Sequence, residues 1–107
     1  MAVSKVVDER HRTRGGGTAR LDLWQDDATA VIVKYSFAYV NPAICSTDNG
    51  RVVGFDNSHS YPGHASPDHA HWMGVVRENH GTPDPLEILQ RFERALGCLE
   101  RHYGRRY

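Results

Sequence analysis

The longest strand signal in the chain is AVIVKYSFAYV, residues 30–40. Successive side chains of an extended strand point to opposite faces. One face here carries Val31, Val33, Tyr35, Phe37 and Tyr39. β-branched and aromatic residues pack well on such a pleated, half-buried surface. Asn41 and Pro42 end the run, because proline has no N–H to donate to a neighbouring strand. The sequence therefore predicts a central strand over residues 30–40.

Further strands are predicted around this one. Residues 20–24 (RLDLW) alternate apolar and polar side chains, which is typical of a half-buried strand. The turn sequence Asp48-Asn49-Gly50 favours positive φ angles and precedes the strand-like residues 51–55. Residues 70–76 (AHWMGVV) are a candidate fourth strand. We therefore expect a small antiparallel sheet of three or four strands.

A helix is predicted near the C-terminus, over residues 85–103. Asp84 is in the N-cap position, Pro85 is the first helical residue and Glu87 completes a capping box. The apolar stripe at helical spacing consists of Leu86, Leu89, Phe92, Leu96, Leu99 and Tyr103. Gly97 costs about 1 kcal/mol inside a helix and indicates close packing against a neighbour. The expected fold class is α+β, with this amphipathic helix packed on one face of the sheet.

The chain length of 107 residues corresponds to one domain. Three glycines occupy positions 15–17, and we expect residues 1–19 to form a flexible basic arm before a single domain over residues 20–107. A core of this size favours a homodimer or a tight complex with a partner. The apolar runs are far shorter than the about 20 residues of a membrane span, so we expect a cytoplasmic protein that contacts no membrane.

Charge is distributed unevenly, although the formal net charge is zero. Residues 1–20 carry five basic and two acidic side chains, residues 21–88 carry three and nine, and residues 89–107 carry five and two. Basic ends favour binding to phosphate or to an acidic partner protein. Ordinary solvated surface charge is the alternative interpretation.

Histidines cluster in the segment that follows residues 51–55. The cluster consists of His59, His64, His69 and His71. Imidazole accepts and donates protons near neutral pH, and RNA supplies its own nucleophile in the 2′-hydroxyl group. One interpretation is therefore a ribonuclease site, with His69, His71 and Asp56 at its centre and His64 as a further catalytic candidate.

Substrate-binding candidates accompany these residues. Lys34, Arg51 and Arg77 are cations that would stabilise the negative charge on a phosphate in the transition state. Asn57 would hold the loop beside the substrate through bonds to the backbone, as asparagine commonly does in turns. None of these roles needs a metal ion.

A metal site is the second interpretation of the same segment. His69 and His71 lie on one side of an extended strand, which suits two ligands of zinc or manganese. Further ligands would come from His59, His64, Asp56 or Asp68. The spacing matches no specific zinc pattern, so the prediction is no cofactor, with zinc or manganese as the alternative. Histidines that bind only water and backbone are the third interpretation.

Several short motifs occur in a recognisable order. They are Lys34-Tyr35-Ser36-Phe37, Arg51-Val52-Val53-Gly54-Phe55-Asp56-Asn57, Gly63-His64 and His69-Ala70-His71, followed by the amphipathic helix. This order resembles the TumE-type toxins of bacterial toxin–antitoxin loci, over residues 21–102. The longer loop that contains His59 and the glycine-rich start depart from the family pattern.

The resemblance implies a small toxin that attacks RNA and is held inactive by an antitoxin with a helix-turn-helix DNA-binding domain. The positions that match the family motif are Asp56, Asn57, His64, His69 and His71. The alternative function is a non-catalytic interaction module, stabilised by a metal in one version, that binds a partner through a free strand edge. An enzyme of other specificity that uses a bound metal is a third hypothesis.

Overall fold

The structure is a computed structural model that describes residues 2–13, 16–58, 67–79 and 84–103. Its elements are β1 (Val3–Arg12), β2 (Thr18–Asp26), β3 (Ile32–Val40), β4 (Arg51–Asp56), β5 (His69–Trp72), β6 (Val75–Glu78) and α1 (Pro85–Tyr103). The described residues confirm the α+β class, with an antiparallel sheet and a C-terminal helix. Among them, no helix is both long and apolar enough to cross a membrane.

The sheet has six strands in the order β1-β2-β3-β4-β5-β6, so each strand pairs with its neighbour along the chain. The prediction of three or four strands is therefore wrong in number. The predicted strands over residues 20–24, 30–40 and 51–55 correspond to β2, β3 and β4. The additional strands lie at the two edges of the sheet.

The first additional strand corrects the expected flexible arm over residues 1–19, since β1 occupies Val3–Arg12. Val7 is the one half-buried residue of β1, so the strand shows no apolar alternation. Its side chains are instead tied to β2 through Asp22, which pairs with Lys5 Nζ at 2.9 Å and Arg10 Nη1 at 3.1 Å. Ion pairs between strands leave no apolar period in the sequence, which explains why β1 was not predicted.

The second additional strand arises because residues 70–76 are not one strand. β5 ends at Trp72, β6 begins at Val75, and these two residues pair. Met73 and Gly74 form the two-residue turn between them, with φ angles of 48° and 88°. Positive φ at both positions is the signature of a tight hairpin turn. The residues before and after this turn are mostly apolar, so the sequence of residues 70–76 resembles one continuous strand.

The core lies between α1 and the two central strands, β3 and β4. Tyr35, Phe37 and Tyr39 are buried on the helix-facing side of β3, as their alternation predicts. Phe37 stacks on Tyr35 at a centroid distance of 5.5 Å and on Phe92 of the helix at 6.1 Å. A β-bulge at Val33 reverses the alternation at the start of β3, so Ile32 rather than Val31 packs against the core, and Val31, on the predicted buried face, is 57% exposed.

The helix begins as predicted, and Leu89, Phe92, Leu96 and Leu99 of the predicted stripe lie in the core or pack against it. The Asp84 carboxylate accepts the Leu86 N–H at 3.0 Å and therefore caps the first turn. Leu86 itself is 61% exposed, whereas Ile88 is buried in the core. The nearest atom to a methyl group added at Gly97 is the Arg101 Nη1 at 3.6 Å. The described residues therefore do not show the close packing expected at Gly97.

The sheet face that points away from α1 carries polar side chains. Asp22, Ser36, Asp56 and His69 form one row across β2 to β5. In the adjacent row, Gly54 pairs with His71. This polar face holds the candidate site.

A β-bulge in β4 brings Arg51 to the polar face. Tyr39 pairs with Val53, but the next pair joins Val40 to Arg51, so Val52 is the extra residue. Val52 and Val53 are both buried in the core. Arg51 is thereby turned towards Asp56, with Nη1 at 3.5 Å from Oδ2.

Glycine substitutions test this account of the packing. A methyl group at Gly54 would lie 2.9 Å from the Phe37 carbonyl oxygen and 2.9 Å from Arg51 Cδ. The carbonyl belongs to the β3 backbone, so we expect Gly54→Ala to lower the free energy of unfolding by about 1–3 kcal/mol. Gly97→Ala should raise it by about 0.5–1 kcal/mol. Denaturant unfolding measures both, and a Gly54→Ala variant as stable as wild type would contradict the packing described.

Candidate functional site

A buried histidine lies between two carboxylates on the polar face. The Nε2 atom of His71 is 3.0 Å from Asp56 Oδ2, and its Nδ1 atom is 3.1 Å from Asp48 Oδ2. His71 is 3% exposed and Asp56 is 4% exposed. A carboxylate only accepts hydrogen bonds, so the two contacts are both satisfied when both ring nitrogens carry a proton. The His71 ring is therefore held between two carboxylate oxygens through both of its nitrogens.

The environment of Asp56 favours its charged form. Burial alone would raise its pKa, but hydrogen bonds from His71 and from the Ser58 backbone N–H outweigh this effect. The positive charges of His71 and Arg51 act in the same direction, and the pKa of Asp56 lies below its usual value. Asp56 is therefore an anion at neutral pH.

Arg51 lies near both carboxylates. Its Nη1 atom is 3.5 Å from Asp56 Oδ2 and its Nε atom is 3.9 Å from Asp48 Oδ2. The side chains of Arg51 and Asp48 are 26% and 23% exposed, whereas those of Asp56 and His71 are nearly inaccessible. Water and ligands therefore reach the network through Arg51 and Asp48.

The exposed side of the network borders a polar cleft of about 250 Å³. The cleft is lined by Arg20, Asp22, Ser36, Ala38, Val40, Asp48, Asn49 and Arg51. Arg20 and Arg51 bring two guanidinium groups to it, and guanidinium groups match the geometry of phosphate oxygens. Asp22 is engaged by Lys5 and Arg10, so its charge is already compensated. The cleft has the residues needed to hold a phosphate beside a carboxylate.

Asp48 is the site residue that sequence reasoning missed, because its neighbours mark it as a turn residue. It belongs to a 3₁₀ turn, Asp48–Gly50, in which all three residues have positive φ angles, of 50°, 56° and 80°. Aspartate and asparagine tolerate this backbone better than most residues. The turn projects the Asp48 carboxylate onto His71, which is 23 positions later in the chain. The one sequence signal for Asp48 was the length of the β3–β4 connection, which spans residues 41–50 and is longer than a two-residue hairpin loop.

His69 and Asp68 are buried beside this network. His69 is 0% exposed, pairs in register with Asp56, and its Nδ1–H donates to the Pro67 carbonyl at 2.7 Å. Asp68 accepts a hydrogen bond of 2.6 Å from the Tyr35 hydroxyl. Burial and this bond raise the pKa of Tyr35 above its usual value. These contacts anchor the start of β5 to the core.

The structure separates the predicted substrate-binding residues. Arg51 lies at the cleft, whereas Arg77 lies on the helix-facing side of β6, in register with Ala70. Lys34 is on the polar face, but its Nζ lies 4.5 Å from the centroid of the Trp24 ring. Lys34, Arg51 and Arg77 therefore lie in three different places. Of the three, Arg51 is the one that lies beside Asp48, Asp56 and His71.

Asn57 has a structural role. Its side-chain oxygen accepts the Tyr35 N–H at 2.9 Å, and its side-chain nitrogen donates to the Val33 carbonyl at 3.2 Å. The amide thus continues the β3–β4 ladder past the end of β4, rather than bonding its own loop. Among the catalytic candidates, Asp56, His69 and His71 are brought together, whereas His64 lies outside the described residues.

Within the described residues, no group of three or more His, Cys, Asp or Glu side chains is arranged to hold a metal ion. His71 directs both ring nitrogens to carboxylates in this structure. Comparison with known protein families, with curated protein sequences and with solved structures finds no match to this chain. The function is therefore argued from the site itself.

The buried pair predicts a specific response to acid. Asp56→Asn should lower the free energy of unfolding at pH 7 by about 1–3 kcal/mol, because the buried His71 ring loses the charged hydrogen-bond acceptor of its Nε2 atom. In wild type, the stabilisation from Asp56 is complete above the ordinary aspartate pKa of about 3.9 and is lost as the pH falls through the lower folded-state pKa. Urea unfolding between pH 7 and pH 2 should therefore show a shallower acid loss in the variant.

Asp27→Asn is the matched control, since Asp27 is an exposed carboxylate in a turn. It should follow the wild-type acid profile closely. An Asp56→Asn variant that also follows that profile would contradict the role assigned to the buried carboxylate.

Proposed function

We propose that the chain is an RNA-cleaving toxin of a toxin–antitoxin pair, and that it cleaves RNA in the polar cleft. One observation carries the proposal. A solvent-accessible carboxylate, Asp48, and a guanidinium, Arg51, lie together at a cleft and are both fixed by the buried pair of His71 and Asp56. This combination provides a proton acceptor beside a phosphate-binding cation. The order of sequence motifs that resembles TumE-type toxins supports the same function.

The proposed chemistry uses the nucleophile within the substrate. The 2′-hydroxyl oxygen attacks the adjacent phosphorus, and its proton passes to the Asp48 carboxylate. The bond from phosphorus to the 5′-oxygen breaks, and that oxygen takes a proton from solvent. The products are a 2′,3′-cyclic phosphate and a 5′-hydroxyl end. Arg51 and Arg20 stabilise the additional negative charge on the phosphate oxygens in the transition state.

His71 and Asp56 are positioning residues in this scheme, because both are buried and neither reaches the cleft. His71 holds the Asp48 carboxylate through Nδ1, and Asp56 fixes the ring through Nε2. His69 anchors β5 behind them. The sequence-based assignment of His69 and His71 as the proton-transferring pair thus becomes a supporting role around Asp48.

The proposed partners are an RNA substrate and a cognate antitoxin with a helix-turn-helix DNA-binding domain. A non-catalytic interaction module is the second candidate function. The observation that favours it is the apolar surface at β5 and β6, where Trp72 is 52% and Val75 is 51% exposed. The two candidate functions predict different results. Substitutions at the cleft abolish RNA cleavage if the chain is a ribonuclease, whereas an interaction module cleaves no RNA.

RNA cleavage and growth inhibition by Asp48→Asn test the proposal. The variant keeps the size of the side chain and removes the proton acceptor, so we expect cleavage to fall about 10²–10⁴-fold. Arg51→Lys should also reduce cleavage, because lysine cannot bind phosphate in the two-point manner of arginine. Asp27→Asn and Arg94→Lys, which alter exposed residues remote from the cleft, are the matched controls.

Circular dichroism and unfolding curves establish that each variant is folded. A folded Asp48→Asn variant that cleaves RNA and arrests growth like wild type would refute the assignment of the base. A wild-type protein that arrests growth without cleaving RNA, with or without added divalent ions, would refute the ribonuclease function.

A further inference from the structure

The two edges of the sheet differ in how they are protected. The β1 edge carries charges of both signs at Lys5, Asp8, Glu9 and Arg10, and a register shift near Val6 distorts it. Charged side chains and bulges are the usual means by which an edge strand avoids pairing with another chain. Among the described residues β6 pairs with β5 alone, and its first two residues are valines. The β6 edge is therefore the one suited to pairing.

The hairpin geometry determines which backbone groups of β6 are free to pair. The closing pair of a two-residue hairpin, here Trp72 and Val75, is hydrogen-bonded within the hairpin. The Met73 N–H donates in the opposite direction, to the Val52 carbonyl of β4 at 2.9 Å. Because these directions alternate along a strand, the N–H and C=O groups of Val76 point away from β5.

We infer that two copies of this chain pair through their β6 strands, antiparallel, with Val76 opposite Val76 at the two-fold axis. The Val76 residues then exchange two backbone hydrogen bonds. On the helix-facing side, Val75 of each copy lies opposite the Arg77 of the other. The result is a continuous sheet of twelve strands with both helices on one side. A second copy is an isologous partner, as is usual for homodimers.

Charge selects this register. In an antiparallel pair, the backbone N–H and C=O groups of two opposed residues either both point towards the other strand or both point away from it. A two-fold axis between two identical strands must therefore pass between two copies of the same residue. Centring the axis at Arg77 would oppose two arginines, and centring it at Glu78 would oppose two glutamates, and like charges in such pairs are destabilising. Centring it at Val75 would place the backbone of Met73 and Gly74, which is a turn, in the ladder. Val76 is the centre that opposes no like charges and takes its central hydrogen bonds from strand residues alone.

The same register covers the exposed apolar surface. Trp72 and Val75 line a cavity of about 330 Å³ together with Ala70 and Arg77. The partner's Arg77 extends over Val75 towards Trp72, and a guanidinium over an indole ring is a favourable contact. The cavity of each copy is thus covered by the arginine of the other. Arg77, which the sequence suggested for phosphate binding, has a specific use at this interface.

The contact between two four-residue strands is small. Stable interfaces typically bury about 1,200–2,000 Å² in total, so we expect a weak dimer that dissociates on dilution. Sedimentation velocity at protein concentrations from about 1 to 300 μM is the suitable measurement, because it follows the monomer and the dimer together.

Val76→Lys tests the interface, because it places two ammonium groups opposite each other at the axis. Val6→Lys is the matched control: Val6 is a 45% exposed valine of the other edge strand. We expect wild type and Val6→Lys to form the dimer over this range, and Val76→Lys to remain monomeric with an unchanged circular dichroism spectrum. A wild-type monomer at every concentration overturns the proposal, as does a Val76→Lys variant that dimerises like wild type.

Disulfide formation tests the register. Val75 and the partner's Arg77 form a pair that is not hydrogen-bonded, with Cβ atoms about 4.5–5.5 Å apart, and a modest approach brings them within disulfide distance. Val75→Cys and Arg77→Cys are made separately in a Cys98→Ser background, since Cys98 is the exposed native thiol. When the two variants are mixed and oxidised, the heterodimeric disulfide should form at least about tenfold faster than either homodimeric one. Faster formation of a homodimeric disulfide overturns the register.

Discussion

One helix can cover only part of a six-stranded sheet, and much of this structure follows from that limit. A helix with its side chains is about 10 Å wide and strands lie about 4.8 Å apart, so one helix covers about two strands. α1 packs on β3 and β4, and the stacked rings of Tyr35, Phe37 and Phe92 lie there. The outer strands need other means of stabilisation. Cross-strand ion pairs to Asp22 serve β1, whereas β6 leaves Trp72 and Val75 exposed.

The charged network on the opposite face follows a different rule. Buried charges are tolerated when they are paired and hydrogen-bonded, and replacing such a pair with apolar residues is often neutral or stabilising. Stability alone is therefore a weak reason to bury His71 and Asp56. Their contacts instead fix the direction in which Asp48 and Arg51 point, at the border between the buried network and the cleft. A preorganised carboxylate and cation at a cleft are what proton transfer beside a phosphate requires.

The sequence predicted those parts of the fold that rest on apolar periodicity. β3, β4 and the capped start of α1 belong to this class, and Asp84 caps the helix as expected. β1 could not be predicted in this way, because Val7 is its one half-buried residue and ion pairs to Asp22 join its charged side chains to β2. In the site, the proximity of Asp56 and His71 was predicted from the histidine cluster. Asp48 was not, because the contact depends on three consecutive positive φ angles and a long-range approach that no local pattern records.

β4 is the strand that connects the two faces. Its bulge buries Val52 and Val53 under the helix and turns Arg51 to the polar side, while Gly54 leaves room for the Arg51 side chain and for the Phe37 carbonyl. In the proposed dimer, the His71 residues of the two copies lie three strand spacings apart, or about 14 Å, on one continuous face. The clefts open over β2 and β3, on the far side of each site from the two-fold axis. Pairing at β6 therefore leaves both clefts accessible, and a protein that blocks them must bind the polar face itself.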